Sequence, residues 1–293
     1  RNKQIGRSFY RASVAEGGAP APWVARLLLE RVKPLFQDQP IAKKLSTMTT
    51  RLFRQHSIRE TFSLDGTWIF HFPCKGTTIN PWPLDEAIKR ELTIPGVWET
   101  LPSHANYRGQ AVAVKEFETD TDGAARLVFK GVSHTCRVYL DGREIGGHHN
   151  AYTPFSLDIP ELASGCHELR VWISNEHGDL SALHVPNDYY NYGGISRPVE
   201  LQALQCPSYI RHVHFTPRQS SNSWQATVAA WIVNLSDEPA SADFSVSVAG
   251  TKLEFPHTTL QPGTNRLTGE IAIAGVEAWS PENPALFTLD ARL

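Results

Sequence analysis

Between Pro186 and Val199 the chain reads Pro-Asn-Asp-Tyr-Tyr-Asn-Tyr-Gly-Gly-Ile-Ser-Arg-Pro-Val, a loop dense in rings and amides. Asp188 offers a carboxylate, Asn191 an amide, and Tyr189, Tyr190 and Tyr192 flat faces tipped with hydroxyls. These types suit a sugar: a tyrosine face covers the C–H side of a pyranose, while amide and carboxylate bond its hydroxyls. Asp188, Asn191 and Tyr189 are therefore the candidate substrate contacts. Each has a plainer alternative. Asp188 could close a turn through its own backbone, and Asn191 could bond the backbone of its loop. Adjacent tyrosines point opposite ways in an extended chain, so at least two of the three rings are expected to plug the loop onto its scaffold. Tyr192, Gly193, Gly194 and Arg197 read as loop support. The glycines are expected where φ is positive or another segment comes close, and Arg197 is expected to pair with an acid behind the loop.

Other chemistries find little footing. His148 and His149 are adjacent, so on a strand they face opposite sides and make poor co-ligands for a metal. Lys75-Gly76-Thr77-Thr78 lacks the frame of a phosphate-binding loop. Cys74, Cys136, Cys166 and Cys206 have neither metal-clip nor CxxC spacing, and reduced, half-buried thiols are expected. No metal and no cofactor is expected.

The elements that must carry the loop are strands. The chain has 293 residues, enough for two domains, and its 41% hydrophobic and 20% charged residues describe a globular protein. The formal net charge is -2, but in residues 1–47 basic residues outnumber acidic ones nine to three. The remainder is therefore acidic, with no general pull on nucleic acid. No apolar run approaches the ~18 residues of a membrane span.

From about Phe62 the pattern is β. Trp68, Phe70 and Phe72 share one face of a strand after an Asp65-Gly66 turn, Ala111 to Phe117 form another strand, and Ala125, Leu127 and Phe129 alternate along a third. Asp141-Gly142 sits at the centre of a hairpin, because a type I′ turn needs two residues tolerant of positive φ. Phe155 to Ile159 and Leu169 to Ile173 continue the alternation, an antiparallel sandwich. Near Pro207 a second β unit begins, with strands expected at 226–233, 244–248, 266–273 and 286–293. The expected fold is all-β: a jelly-roll of galactose-binding type over 55–206, then an immunoglobulin-like β-sandwich over 207–293. A leader over 1–54 precedes them, disordered or with a short helix near 22–36. Met48 is the only methionine, and the expectation is either a native start there, with 1–47 as upstream read-through, or a sequence that is an internal fragment of a longer chain.

An ordered set of motifs resembles glycoside hydrolase family 2, the β-galactosidases, β-glucuronidases and β-mannosidases. In order they are Leu64-Asp65-Gly66-Thr67-Trp68, Ile94-Pro95-Gly96-Val97-Trp98, Val138-Tyr139-Leu140-Asp141-Gly142, Tyr152-Thr153-Pro154-Phe155, and Leu169, Val171, Ile173 and Asn175 at alternate positions. Trp279-Ser280-Pro281 with Pro284 and Leu286 resembles the close of the family's second module. Val112 and Val114 stand where the family commonly carries a Trp-Tyr pair. The wording of 188–199 is nearest the glucuronidase branch, with galactosidase and mannosidase left open.

The resemblance implies a jelly-roll and an immunoglobulin-like module preceding a (β/α)8 barrel that carries both catalytic carboxylates. Retaining hydrolysis needs two of these about 5–5.5 Å apart, and Glu60, Asp85, Glu86, Glu91, Glu161 and Glu282 read instead as solvated charges. The chain alone is thus expected to be inactive, the front portion of a retaining β-glycosidase whose substrate is a β-linked glycoside or oligosaccharide and whose partner is the barrel. By resemblance, Asp188 reaches over the barrel mouth to a substrate hydroxyl. The alternatives are a stand-alone carbohydrate-binding module and a purely structural pair of sandwiches. A cytoplasmic location is expected, and whether the parent is a homo-oligomer stays open.

Overall fold

The computed structural model describes residues 59–120, 122–178, 189–220 and 223–293. The expected leader over 1–54, with its helix near 22–36, lies outside them. The described residues form sixteen strands, β1 (Thr61–Ser63), β2 (Gly66–Phe72), β3 (Ile88–Ile94), β4 (Gln110–Thr119), β5 (Gly123–Phe129), β6 (Thr135–Leu140), β7 (Arg143–His149), β8 (Phe155–Leu162), β9 (Gly165–Ser174), β10 (Val199–Ala203), β11 (Ser208–Ser220), β12 (Ser223–Asn234), β13 (Ala240–Val248), β14 (Thr251–Leu260), β15 (Gly263–Ile273) and β16 (Leu289–Arg292). Two 3-10 turns, Trp98–Thr100 and Pro102–His104, are the helical elements among them.

The first sandwich packs a six-stranded sheet, ordered β3-β2-β4-β9-β6-β7, on a four-stranded one, ordered β1-β10-β5-β8. Alternation explains the core. Trp68, Phe70 and Phe72 from β2 meet Leu127 and Phe129 from β5 and Leu169, Val171 and Ile173 from β9, all buried. The Asp65-Gly66 step carries the chain between sheets, since β1 pairs with β10 whereas β2 pairs with β3 and β4. There Asp65 Oδ1 accepts the Val199 N–H at 2.9 Å, tying the step to the strand that follows the tyrosine loop. Strands β6 and β7 form the expected hairpin, with φ of 49° at Asp141 and 83° at Gly142. The strand β3, not anticipated from its charged Lys89-Arg90-Glu91 run, is the sheet's edge, where such residues face water.

The second sandwich faces β11-β12-β15 with β14-β13-β16, around Val228, Ala230, Ile232, Phe244, Val246, Leu260 and Ile271. Residues 251–260, not named as a strand from the sequence, pair with β13 on both sides of Pro256. This is an edge strand, where a missing N–H costs no ladder bond, and the register slips between Ala242 and Phe244 as His257 N–H turns to Asp243 Oδ1 at 2.7 Å. The strand expected over 286–293 is confined to Leu289–Arg292, leaving Leu286 and Phe287 exposed.

A polar cluster lies where the first sandwich gives way to the second. The Tyr209 hydroxyl on β11 is shared between both carboxylate oxygens of Asp158 on β8, 2.8 Å from each, and Arg211 Nη2 reaches Asp158 at 2.9 Å. Arg126 stands 3.4 Å from the same carboxylate, with its guanidinium 4.6 Å from the centre of the Tyr209 ring.

Candidate functional site

The tyrosine loop is seated by its backbone on two sides. On one side lies the turn after β3. Gly96 N–H donates to the Ile195 carbonyl at 2.8 Å, and Trp98 N–H to the Gly193 carbonyl at 2.9 Å. On the other lies Ser133, which exchanges both backbone hydrogen bonds with Gly194 and donates its hydroxyl to the Tyr192 carbonyl at 2.5 Å. Ile195, fully buried, is the apolar pin between them. The two reasons for a glycine fall one to each position. A Cβ on Gly193 would lie 2.0 Å from Trp98 Cζ2, inside the indole, while Gly194 has φ of +121°.

Beneath this backbone sits Glu99, its side chain only 5% exposed. Gly193 N–H donates to both Glu99 oxygens at 3.1 Å, Arg108 Nη1 donates to Oε1 at 3.1 Å, and Asn175 Nδ2 to Oε1 at 3.3 Å. Burial pushes this carboxyl above the ordinary carboxylate range, while the Gly193 hydrogen bond and the Arg108 charge pull the other way. Asn175, fully buried on the far side, accepts the Gly109 N–H at 2.9 Å and donates to the Asn191 carbonyl at 3.0 Å. Asn191 answers by donating its amide to the Asn175 carbonyl at 2.7 Å.

Asp188, the leading substrate contact by sequence, lies outside the described residues, immediately before Tyr189 in the chain. Tyr189 stands 76% exposed, with its ring turned to solvent. Asn191 is 7% exposed and donates its amide to the Asn175 carbonyl, closing the loop against that residue. The expected ring plug is also revised, since Tyr190 and Tyr192 are exposed as well. Tyr190 anchors through its tip, its hydroxyl donating to the Ala105 carbonyl and reaching Asn106 Oδ1 at 3.3 Å, while the Arg108 guanidinium covers its ring at 4.5 Å. The Tyr192 ring leans on that of Tyr190, with centroids 4.5 Å apart. Arg197 Nη1 donates to the Tyr152 carbonyl at 2.8 Å, and its stem lies against Gly131.

Glu99, Arg108, Ser133 and Asn175 were not singled out from the sequence as site residues. Their signal is faint: Glu99 directly follows one quoted motif and Asn175 ends another, but their partners lie 94 and 16 residues away.

What the site offers is ring faces and hydroxyls on a rigid frame. Glu60, Asp85, Glu86, Glu91, Glu161 and Glu282 are all exposed. The more buried acids are engaged, Glu99 as above, Asp158 with Tyr209 and Arg211, and Glu200 with Lys130 at 3.4 Å. His148 bonds Thr153 and stacks on Phe155, while His149 bonds Thr135. Among the described residues no three His, Cys, Asp or Glu side chains are grouped to hold a metal, and no helix is long and apolar enough to cross a membrane.

Two family models match in tandem, the sugar binding domain of glycosyl hydrolases family 2 over residues 61–205 and a second glycosyl hydrolases family 2 domain over residues 208–293. Among solved structures, a β-galacturonidase from Eisenbergiella tayi bound to galacturonate is 36% identical, with a TM-score of 0.67 over 83% of this chain and 42% of that one. A β-glucuronidase of Streptococcus agalactiae is 26% identical over 265 residues, 78% of this chain and 40% of that protein. A β-galactosidase of Thermoanaerobacter pseudethanolicus is 24% identical over 249 residues, 80% of this chain and 33% of that protein. The chain thus spans well under half the length of each of these relatives.

Proposed function

The chain belongs to glycosyl hydrolases family 2, and from that premise we propose that its two sandwiches are the non-catalytic front of a retaining β-glycosidase, contributing substrate recognition and support to a catalytic barrel. The single observation that carries this reading is the seating of residues 190–194. Their backbone is locked from both sides while the rings of Tyr189, Tyr190 and Tyr192 stay exposed, a rigid frame under a sugar-facing edge. Asp188 precedes those rings, and its carboxylate would accept substrate hydroxyl protons. Hydrolysis is assigned elsewhere, since the more buried acids of this chain are engaged in holding the fold.

The substrate class we favour is a β-linked uronide. The motif wording of 188–199 and the likeness to a galacturonidase and a glucuronidase support it, with β-galactosides as the alternative. The four cysteines are free thiols, which supports a reducing compartment such as the cytoplasm.

The test is titration of the chain with glucuronate, galacturonate, galactose and mannose, followed by calorimetry and by the tyrosine ring signals in NMR. A half-built site should bind at about millimolar or weaker, shift the rings of residues 189–192, and lose the response in Asp188→Ala. Binding at about 10 micromolar or tighter would favour a stand-alone carbohydrate-binding module. Turnover of aryl β-glycosides by the chain itself would overturn the non-catalytic assignment.

A further inference from the structure

Glu99 lies in neither the tyrosine loop nor a strand, yet three donors from three segments converge on it. Gly193 N–H comes from the loop, Arg108 from the segment before β4 and Asn175 from the end of β9. All three reach Oε1, and only the Gly193 N–H is shared with Oε2. Arg108 extends the connection outward. Its Nη1 also donates to the Tyr107 carbonyl at 2.7 Å, so its plane is fixed, and that plane lies over the exposed Tyr190 ring. The Tyr190 hydroxyl is held at Ala105 and Asn106, so the ring is pinned at tip and face.

We propose that Glu99 is the positioning residue of the tyrosine loop: through Gly193 it sets the backbone of residues 190–194, and through Arg108 it sets the stance of the Tyr190 ring. This assignment rests on the functional reading above only for why that stance matters. The physical ground is the unequal cost of leaving buried donors unpaired. Packing around Glu99 can be met by any side chain of its length, but three converging donors need an oxygen at the Oε1 position. Arg108 would suffer most, because a charge so little exposed would lose its carboxylate partner and keep only the neutral Tyr107 carbonyl, which loosens its hold on the ring.

Three variants separate acceptor from bulk. Glu99→Gln keeps an amide oxygen for the Oε1 role, Glu99→Met keeps the length without an acceptor, and Glu99→Ala keeps neither. Amide hydrogen exchange is read at Gly193 and Gly194, with Val228 and Ile232 in the second sandwich as an internal reference, and the Tyr190 ring signals are followed by NMR. Losing charge-assisted hydrogen bonds should speed exchange at Gly193 roughly 10- to 100-fold in Glu99→Met and Glu99→Ala. The reference amides should stay put and the Tyr190 signals should move. Glu99→Gln should restore most of the protection and the wild-type ring signals.

Glu99→Met with wild-type exchange and ring signals overturns the proposal, because bulk alone would then suffice. Glu99→Gln as fast as Glu99→Met overturns it too. If Glu99→Ala fails to fold, the Gln–Met pair still decides. A wild-type chain that ignores every saccharide while its exchange follows this pattern sinks the functional reading and leaves Glu99 in its role.

Discussion

Gly193→Ala puts the tightest approach in the loop to the test. The new methyl would sit 2.0 Å from Trp98 Cζ2, 2.2 Å from Cε2 and 2.7 Å from Asn175 Nδ2, among atoms of two fully buried side chains. Neither can yield cheaply. Trp98 packs edge-on to Phe72 at 5.8 Å and to Tyr107 at 5.7 Å, and Asn175 holds both Gly109 and Asn191. Overpacking a core of this kind costs about 1–3 kcal/mol. Shifting the backbone to escape it removes the Trp98 N–H to Gly193 bond, about 1 kcal/mol, and the charge-assisted bond to Glu99, about 1.5–3 kcal/mol. The methyl thus meets a loss of about 1–3 kcal/mol if it stays and about 2.5–4 kcal/mol if the loop lifts. If Trp98 gives way, the loss appears in the unfolding free energy of the first sandwich in urea; if the loop lifts, it appears as faster exchange of the Trp98 amide. Gly194→Ala is the comparison, since its φ of +121° brings strain of about 1–2 kcal/mol with its nearest atom, the Gly96 carbonyl, no closer than 3.0 Å. A Gly193→Ala variant within about 0.5 kcal/mol of wild type, with the Trp98 amide equally protected, would refute the close approach.

Three further outcomes follow from the framework. His167 has Asp141 Oδ2 at 2.7 Å from Nδ1 and the Ala163 carbonyl at 2.8 Å from Nε2, two acceptors that together call for a doubly protonated ring. Burial pushes its pKa down, but the hydrogen bonds to Asp141 and Ala163 and the Asp141 charge prevail and raise it above 6.5. A raised folded-state value means that its stabilisation is full below about pH 6.5 and fades as pH rises through that value. Urea midpoints measured from about pH 5 to 9 should therefore fall more in wild type than in His167→Phe, and parallel curves would disprove the pairing. Asp158→Ala removes the acid shared by Tyr209, Arg126 and Arg211 and should cost about 3 kcal/mol, with Tyr209→Phe adding less than its own effect on top; strict additivity in that double-mutant cycle would deny the cluster. Burial pushes the Cys136 thiol up to about 12, whereas Cys74, Cys166 and Cys206 are exposed, so a thiol reagent at neutral pH should label three sites in the native protein and the fourth only after denaturation.

What the sequence by itself determined is whatever depends on near neighbours. Alternation along Trp68, Phe70 and Phe72 specifies which face of β2 is buried, because successive side chains on a strand must point opposite ways. Asp141-Gly142 specifies a hairpin, because the turn's positive φ angles are a property of those two residues. The motif order carried the family. Tertiary structure decided whatever depends on a distant partner. Residues 251–260 go unnamed as a strand until β14 pairs with β13 as an edge, and Asp65-Gly66 reads as a simple turn until β1 and β2 part into different sheets. Asn191 looks the same on paper whether it holds a sugar or a backbone carbonyl. Only the fold shows that its amide meets the Asn175 carbonyl. Glu99 is the clearest case: a carboxylate next to a tryptophan says nothing of a glycine 94 residues on. That contact exists only in the folded chain, because a buried acceptor has meaning only together with the donors the fold brings to it.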